Sequence, residues 1–149
     1  MGLGVVCAII FSLTFKKNVE ILKCFQAMAL MSIFHNVIGW YEIITGHYMF
    51  LAAERGSIWA RYNAPVSIFY NTNDFATFML LSVFIAYICL ANSKNVFSKC
   101  IYVVTIISST YLLIMTGSRA NMLGFICSFT VFTWLSLQNK RVRRVILPV

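Results

Sequence analysis

The feature that most constrains this chain is a series of apolar runs separated by short charged clusters. The runs cover 1–15, 24–45, 75–91, 100–115 and 120–137. A hydrocarbon core about 30 Å thick takes about 20 helical residues at about 1.5 Å each. The second run is long enough to span. The first, third and fourth fall short by a few residues, a deficit that snorkelling lysines or local thinning of the bilayer makes up. Soluble core helices are also this short, but several in series without an amphipathic partner would leave nothing to face water. Of the 149 residues, 60% are hydrophobic and 11% charged, with a mean hydropathy of +0.83. A soluble domain is usually about a quarter charged. The expectation is an all-α, polytopic helical membrane protein with about five transmembrane helices in a single domain, 1–149.

The net charge of +8 does not point to nucleic acid. Its lysines and arginines sit in short clusters between the runs, and none forms a basic arm. They do define an orientation, because cytoplasmic loops collect lysine and arginine. Lys16, Lys17, Lys23, Lys94, Lys99, Lys140, Arg141, Arg143 and Arg144 fall on one side, and only Arg55, Arg61 and Arg119 on the other. This assigns 16–23, 92–99 and 138–149 to the cytoplasm and the long loop 46–74 to the outside. The N-terminus is then outside and the C-terminus cytoplasmic. No basic n-region precedes the first run, which therefore reads as a retained span. Cys7, Cys24, Cys89, Cys100 and Cys127 lie in or beside apolar runs, with no C-x-x-C or zinc spacing, and read as small hydrophobes. No metal or cofactor is expected.

Topology explains the inner charges and leaves three outer arginines. Arg119 follows Thr116-Gly117-Ser118 in a tight link between two spans. Ser118 is a natural N-cap for a helix starting at Ala120. Exposed amides, the positive end of a helix dipole and a guanidinium then gather in one place, which suits a phosphate. Interfacial anchoring explains Arg119 equally well. The stretch Asn71-Thr72-Asn73-Asp74 opens the next span, with Asp74 or Asn73 as its cap. Asn71 and Asn73 are also candidates for hydrogen bonds to sugar hydroxyls.

Trp40, Tyr41, Tyr48, Phe50, Trp59 and Tyr62 around the outer loop fit an interfacial aromatic belt. Glu42, near the outer end of its span, should pair with a cation or face a cavity, with Arg55, Arg61 and Arg119 as candidate partners. His35, deep in the span, reads as a packing residue. His47 is the better placed for acid–base work but has no identifiable partner.

Three segments together resemble the O-antigen ligase and polymerase family. They are the span ending 38–47, the N-x-N-D-x-A opening at 71–76, and the segment 116–121, similar to the T-G-S-R-(G/A) turn. The resemblance covers about 19–137. It implies a transferase that moves a glycan from an undecaprenyl diphosphate carrier onto an acceptor glycan at the outer face of the bacterial inner or plasma membrane. Arg119, with Ser118 and Gly117 beside it, would hold the diphosphate, and Arg61 would be a second contact. Family members usually have ten or more spans and a further outer loop bearing a functional histidine and arginine. The chain therefore resembles the middle of such a protein, and no catalytic residue is assigned. A reading of a different class is a small transporter or accessory subunit that binds an anionic solute or lipid. A transporter predicts polar residues along two facing spans, whereas here the candidates cluster at one end. Ligase against polymerase, and the identity of sugar and acceptor, stay open.

Overall fold

The computed structural model describes residues 18–48 and 63–138. The expected span 1–15, Arg55 and Arg61 in the loop, and the basic run 139–144 lie outside the described residues. The described residues form four helices: α1 Asn18–Thr45, α2 Thr72–Asn92, α3 Val96–Met115 and α4 Arg119–Gln138. Among the described residues three are long and apolar enough to cross a membrane, Val19–Thr45, Thr72–Asn92 and Val96–Met115. The chain is a helical membrane protein.

Short links make α2, α3 and α4 run up and down. Asn95 caps α3, its side chain accepting from Phe97 N at 3.0 Å. At the opposite end Gly117 supplies the left-handed residue of the α3–α4 turn (φ +66°), a conformation costly for residues with a Cβ. Its N–H donates to the Ile114 carbonyl at 3.1 Å.

Helices in lipid associate through close packing of small residues and through interhelical hydrogen bonds, and both operate here. At Gly39 an added Cβ would lie 3.1 Å from Phe75 Cζ and 3.2 Å from Leu112 Cδ1, so the glycine lets α1 approach α2 and α3 together. Phe75, Ala76, Met79, Leu112 and Leu113 form the buried cluster at that crossing. A polar seam continues inward. Ser32 Oγ donates to Ser82 Oγ at 2.8 Å and joins α1 to α2. Asn36 Nδ2 donates to Ser109 Oγ at 2.8 Å, and Ser108 Oγ donates to Asn36 Oδ1 at 2.6 Å, joining α1 to α3. Trp40 Nε1 donates to Ser108 Oγ at 2.7 Å, with its ring stacked on Tyr111 at 5.0 Å. The α2–α4 contact is aromatic, with Phe84 against Phe125 and Phe132, and Tyr87 against Phe132. Val37, Ile44, Val104, Ile107 and Leu123 remain exposed on the outside of the bundle, as lipid-facing residues do.

Candidate functional site

The antiparallel order brings the C-termini of α1 and α3 and the N-termini of α2 and α4 to one end, where nearly all the candidate residues lie. The α2 terminus differs from the expectation. Its N-cap is Asn71, with extended backbone (φ −133°, ψ 138°) and a side-chain oxygen accepting from Asn73 N at 2.9 Å. Neither Asn73 nor Asp74 caps the helix. Both sit in its first turn, exposed. The helix begins earlier than the apolar run because Asn71 has the extended backbone a cap needs, and its polar first turn needs no lipid-facing surface.

The α4 terminus begins at Arg119. Ser118 occupies the N-cap position, its carbonyl accepting from Met122 N at 3.0 Å. The Ser118 hydroxyl takes a hydrogen bond from the Asn121 side-chain amide at 2.8 Å. Thr116 folds the turn from inside, its hydroxyl donating to the Leu113 carbonyl at 2.6 Å and accepting from Ser118 N at 3.3 Å. Thr116 and Ser118 are buried, while Gly117 and Arg119 are exposed. The turn is built from within and presents the guanidinium outward.

The two motif segments meet through Asn121. Its Nδ2 donates to the Asn73 carbonyl at 3.2 Å as well as to Ser118, and its Oδ1 accepts from Thr77 Oγ1 at 3.0 Å. Asn71, Asn73, Asp74, Gly117 and Arg119 therefore share one surface, with Ser118 buried beneath it. The turn motif in the sequence includes Asn121 without a role for it, and Thr77 lies outside the expected site residues. A signal was present, because Ser118 and Asn121 have the three-residue separation of a capping box.

Glu42 is fully buried, and its partners among the described residues are main-chain amides rather than a cation, Arg55 and Arg61 lying outside those residues. Oε2 accepts the main-chain N–H groups of Val66 at 2.8 Å and Ser67 at 2.7 Å. Oε1 is buried with no hydrogen-bond partner among the described residues. Arg119 makes no ion pair with it among the described residues. A carboxylate has two acceptor oxygens, and successive amides around a left-handed residue form a concave donor site for an anion. Ser67 is that residue, with φ +54°. Its hydroxyl and His35 Nδ1 are 3.0 Å apart in a buried hydrogen bond. Phe34, Phe69 and Phe78 surround the His35 ring, the packing role expected of it. Tyr48 closes the same segment, its hydroxyl donating to the Ala64 carbonyl at 3.1 Å. Burial, and then the charge on Glu42, push the Tyr48 phenol up to about 12, so it remains a donor.

His47 is exposed and turned back on its own chain, with hydrogen bonds between Nδ1 and the Thr45 carbonyl at 2.9 Å and from its N–H to Thr45 Oγ1 at 3.1 Å. It is not brought to Arg119 by any hydrogen bond among the described residues. No group of histidine, cysteine, aspartate and glutamate suited to a metal occurs among the described residues. A groove of about 800 Å³ between α1 and α3 is lined mainly by apolar side chains, Trp40 and Tyr111 among them.

No family model matches the sequence, and no solved structure does. The chain is similar to the teichuronic acid biosynthesis protein TuaE of Bacillus subtilis (strain 168), with 28% identity over 137 residues. That stretch is 92% of this chain and 28% of the relative, so the chain spans less than a third of the protein it matches.

Proposed function

We propose that this chain carries the donor-binding region of a membrane transferase of cell-surface polysaccharide biosynthesis. In that reading a glycan moves from undecaprenyl diphosphate to an acceptor sugar at the outer face of a bacterial membrane, and the whole protein, rather than this region alone, performs the transfer. Five crossings, with the N-terminus outside, would put the Arg119 turn on that face. The likeness to a teichuronic acid biosynthesis protein supports the polysaccharide class.

One observation carries the reading: Asn121 ties the N-termini of α2 and α4 side by side, next to an exposed arginine. Unpaired amides and the positive ends of two helix dipoles favour an anion there, and a guanidinium can grip phosphate oxygens in pairs. In the transfer, the acceptor hydroxyl oxygen bonds to the anomeric carbon and gives up its proton to a base of the whole protein as the bond from that carbon to the phosphate oxygen breaks. The diphosphate leaves with the electron pair, and fixed positive groups stabilise the charge that develops. Arg119, Gly117 and Ser118 are assigned to the diphosphate, with Arg61 as a second contact. Asn71 and Asn73 are assigned to sugar hydroxyls.

The test is a titration of the detergent-purified chain with undecaprenyl diphosphate, undecaprenyl monophosphate and undecaprenol. Affinity should fall in that order, and adding salt should weaken the first most. Equal affinity for all three would mean that only the hydrocarbon tail is bound, and the assignment would be lost.

A further inference from the structure

The geometry points to Asn121 as a positioning residue that sets the donor site by locking the α2 and α4 N-termini in register, an inference that rests on the donor-binding reading. A side-chain amide has two N–H donors and an acceptor oxygen. In Asn121 both ends are used, toward Ser118 on its own turn and toward Asn73 and Thr77 on α2. Thr77 Oγ1 also lies 2.9 Å from the Asn73 carbonyl, its single proton serving either that oxygen or Asn121 Oδ1, so four residues form one hydrogen-bonded knot.

Adhesion between the helices does not depend on this knot. Farther along, Phe84, Phe125, Phe132 and Tyr87 already hold α2 and α4 together, and Gly124 lies close to Leu80. Aromatic contacts of that kind are non-directional enough to tolerate sliding or rotation, whereas the two directed hydrogen bonds that Asn121 makes to α2 are not. The distinct contribution of Asn121 is therefore orientation. It fixes the turn that carries Arg119 relative to Asn73, and it does so without presenting a charge itself. An aliphatic residue at this place would leave the pair associated but free to drift in register. A displacement of about 1 Å is enough to spoil a site built on geometry.

The experiment is a double-mutant cycle on affinity for undecaprenyl diphosphate, using the detergent-purified chain and the variants Asn121→Ala, Arg119→Ala and both together. If Asn121 acts through the Arg119 turn, its loss weakens binding about 10-fold in the wild-type background and scarcely at all once Arg119 is gone, since residues acting as a unit are not additive. The melting temperatures of the same variants should instead add. A merely structural role predicts the reverse: a lowered melting temperature, with effects on affinity that multiply or vanish. Should Asn121→Ala fail to accumulate as folded protein, Thr77→Val replaces it in the cycle, because it removes one arm of the knot at an exposed position. Wild-type affinity retained by Asn121→Ala, or independent effects in the cycle, overturns the inference alone. A wild-type chain that does not bind undecaprenyl diphosphate overturns the donor-binding reading, and the inference falls with it.

Discussion

Glu42 and Ser67 are joined by a carboxylate-to-amide hydrogen bond of 2.7 Å, and the residue held is one whose backbone would not choose its conformation unaided. A non-glycine residue at φ +54° costs on the order of 1–2 kcal/mol. Two amide hydrogen bonds to the carboxylate and the hydroxyl contact to His35 offset that cost. The effect is to pin the end of the long loop to the α1 terminus, just before Asn71 caps α2.

This anchoring needs an acceptor oxygen more than a charge. Glu42→Gln keeps one oxygen for Val66 and Ser67, and its amide nitrogen replaces an oxygen that has no partner among the described residues. The expected cost is below about 1 kcal/mol, the size of one ordinary hydrogen bond. Glu42→Ala strands two buried amides and opens a cavity, for about 3 kcal/mol or more. Thermal unfolding in detergent measures both, and amide exchange over 63–70 should accelerate only in the alanine variant. Equal damage from Gln and Ala would restore an ion-pair or acid–base role for this carboxylate.

The helices could be read from the sequence because lipid-compatible runs are a property of many residues at once. The terminus of α2 could not. Asn71, Asn73 and Asp74 are all competent caps, and the choice among them depends on where the incoming segment is held, which Glu42 settles from a distant part of the chain. The partner of Glu42 was hidden for a related reason. Every residue has a backbone amide, so an anion that takes main-chain donors leaves no pattern of side chains to find. Arg119 and its turn, by contrast, are contiguous, and their shape follows from local spacing.

Asn71 and Asp74 should now separate in mutagenesis. Asn71→Ala removes the observed cap and should cost about 1 kcal/mol. Asp74→Asn removes only a favourable charge in the first turn, for about 0.3–1 kcal/mol at low salt. Melting curves at low and high salt distinguish them, because the Asp74 effect is screened and the Asn71 effect is not.

Asn36 is the hub of the α1–α3 contact, donating to Ser109 and the Ser32 carbonyl and accepting from Ser108. Asn36→Leu keeps similar bulk but leaves two serines to find other partners. Interhelical hydrogen bonds in membrane proteins average about 0.6 kcal/mol and reach about 1.7. Two lost together should cost about 1–2 kcal/mol in a detergent unfolding titration. A stability equal to the wild type would mean that Ser108 and Ser109 satisfy themselves within their own helix.

Gly39 faces a wall with little give. Phe75 and Leu112, the side chains an added Cβ would meet at 3.1 and 3.2 Å, are themselves fully buried. Gly39→Ala gains about 1 kcal/mol of helix propensity and loses about 1–3 to overpacking, for a net destabilisation near 1. Gly39→Val has no comparable compensation and should separate α1 from the crossing, which reduced yield and a melting temperature lower than that of the alanine variant would report.

Arginine 119 provides the sharpest test of what this end of the molecule binds. Its turn is held from inside by Thr116, Ser118 and Asn121, and the exposed guanidinium makes no ion pair among the described residues, so replacing it should leave the fold intact. Lysine conserves the charge but presents a point ammonium in place of a planar fork. If Arg119 grips a diphosphate in the bidentate manner, Arg119→Lys should bind undecaprenyl diphosphate about 10-fold more weakly, the equivalent of about one charge-assisted hydrogen bond. Binding of the monophosphate, which has fewer oxygens to grip, should change less. An interfacial anchor predicts otherwise: lysine snorkels at least as well as arginine, and affinity for either lipid would not respond to the exchange. The ratio of the two affinities, measured on wild type and Arg119→Lys side by side, therefore separates recognition of the headgroup from attachment to the membrane surface.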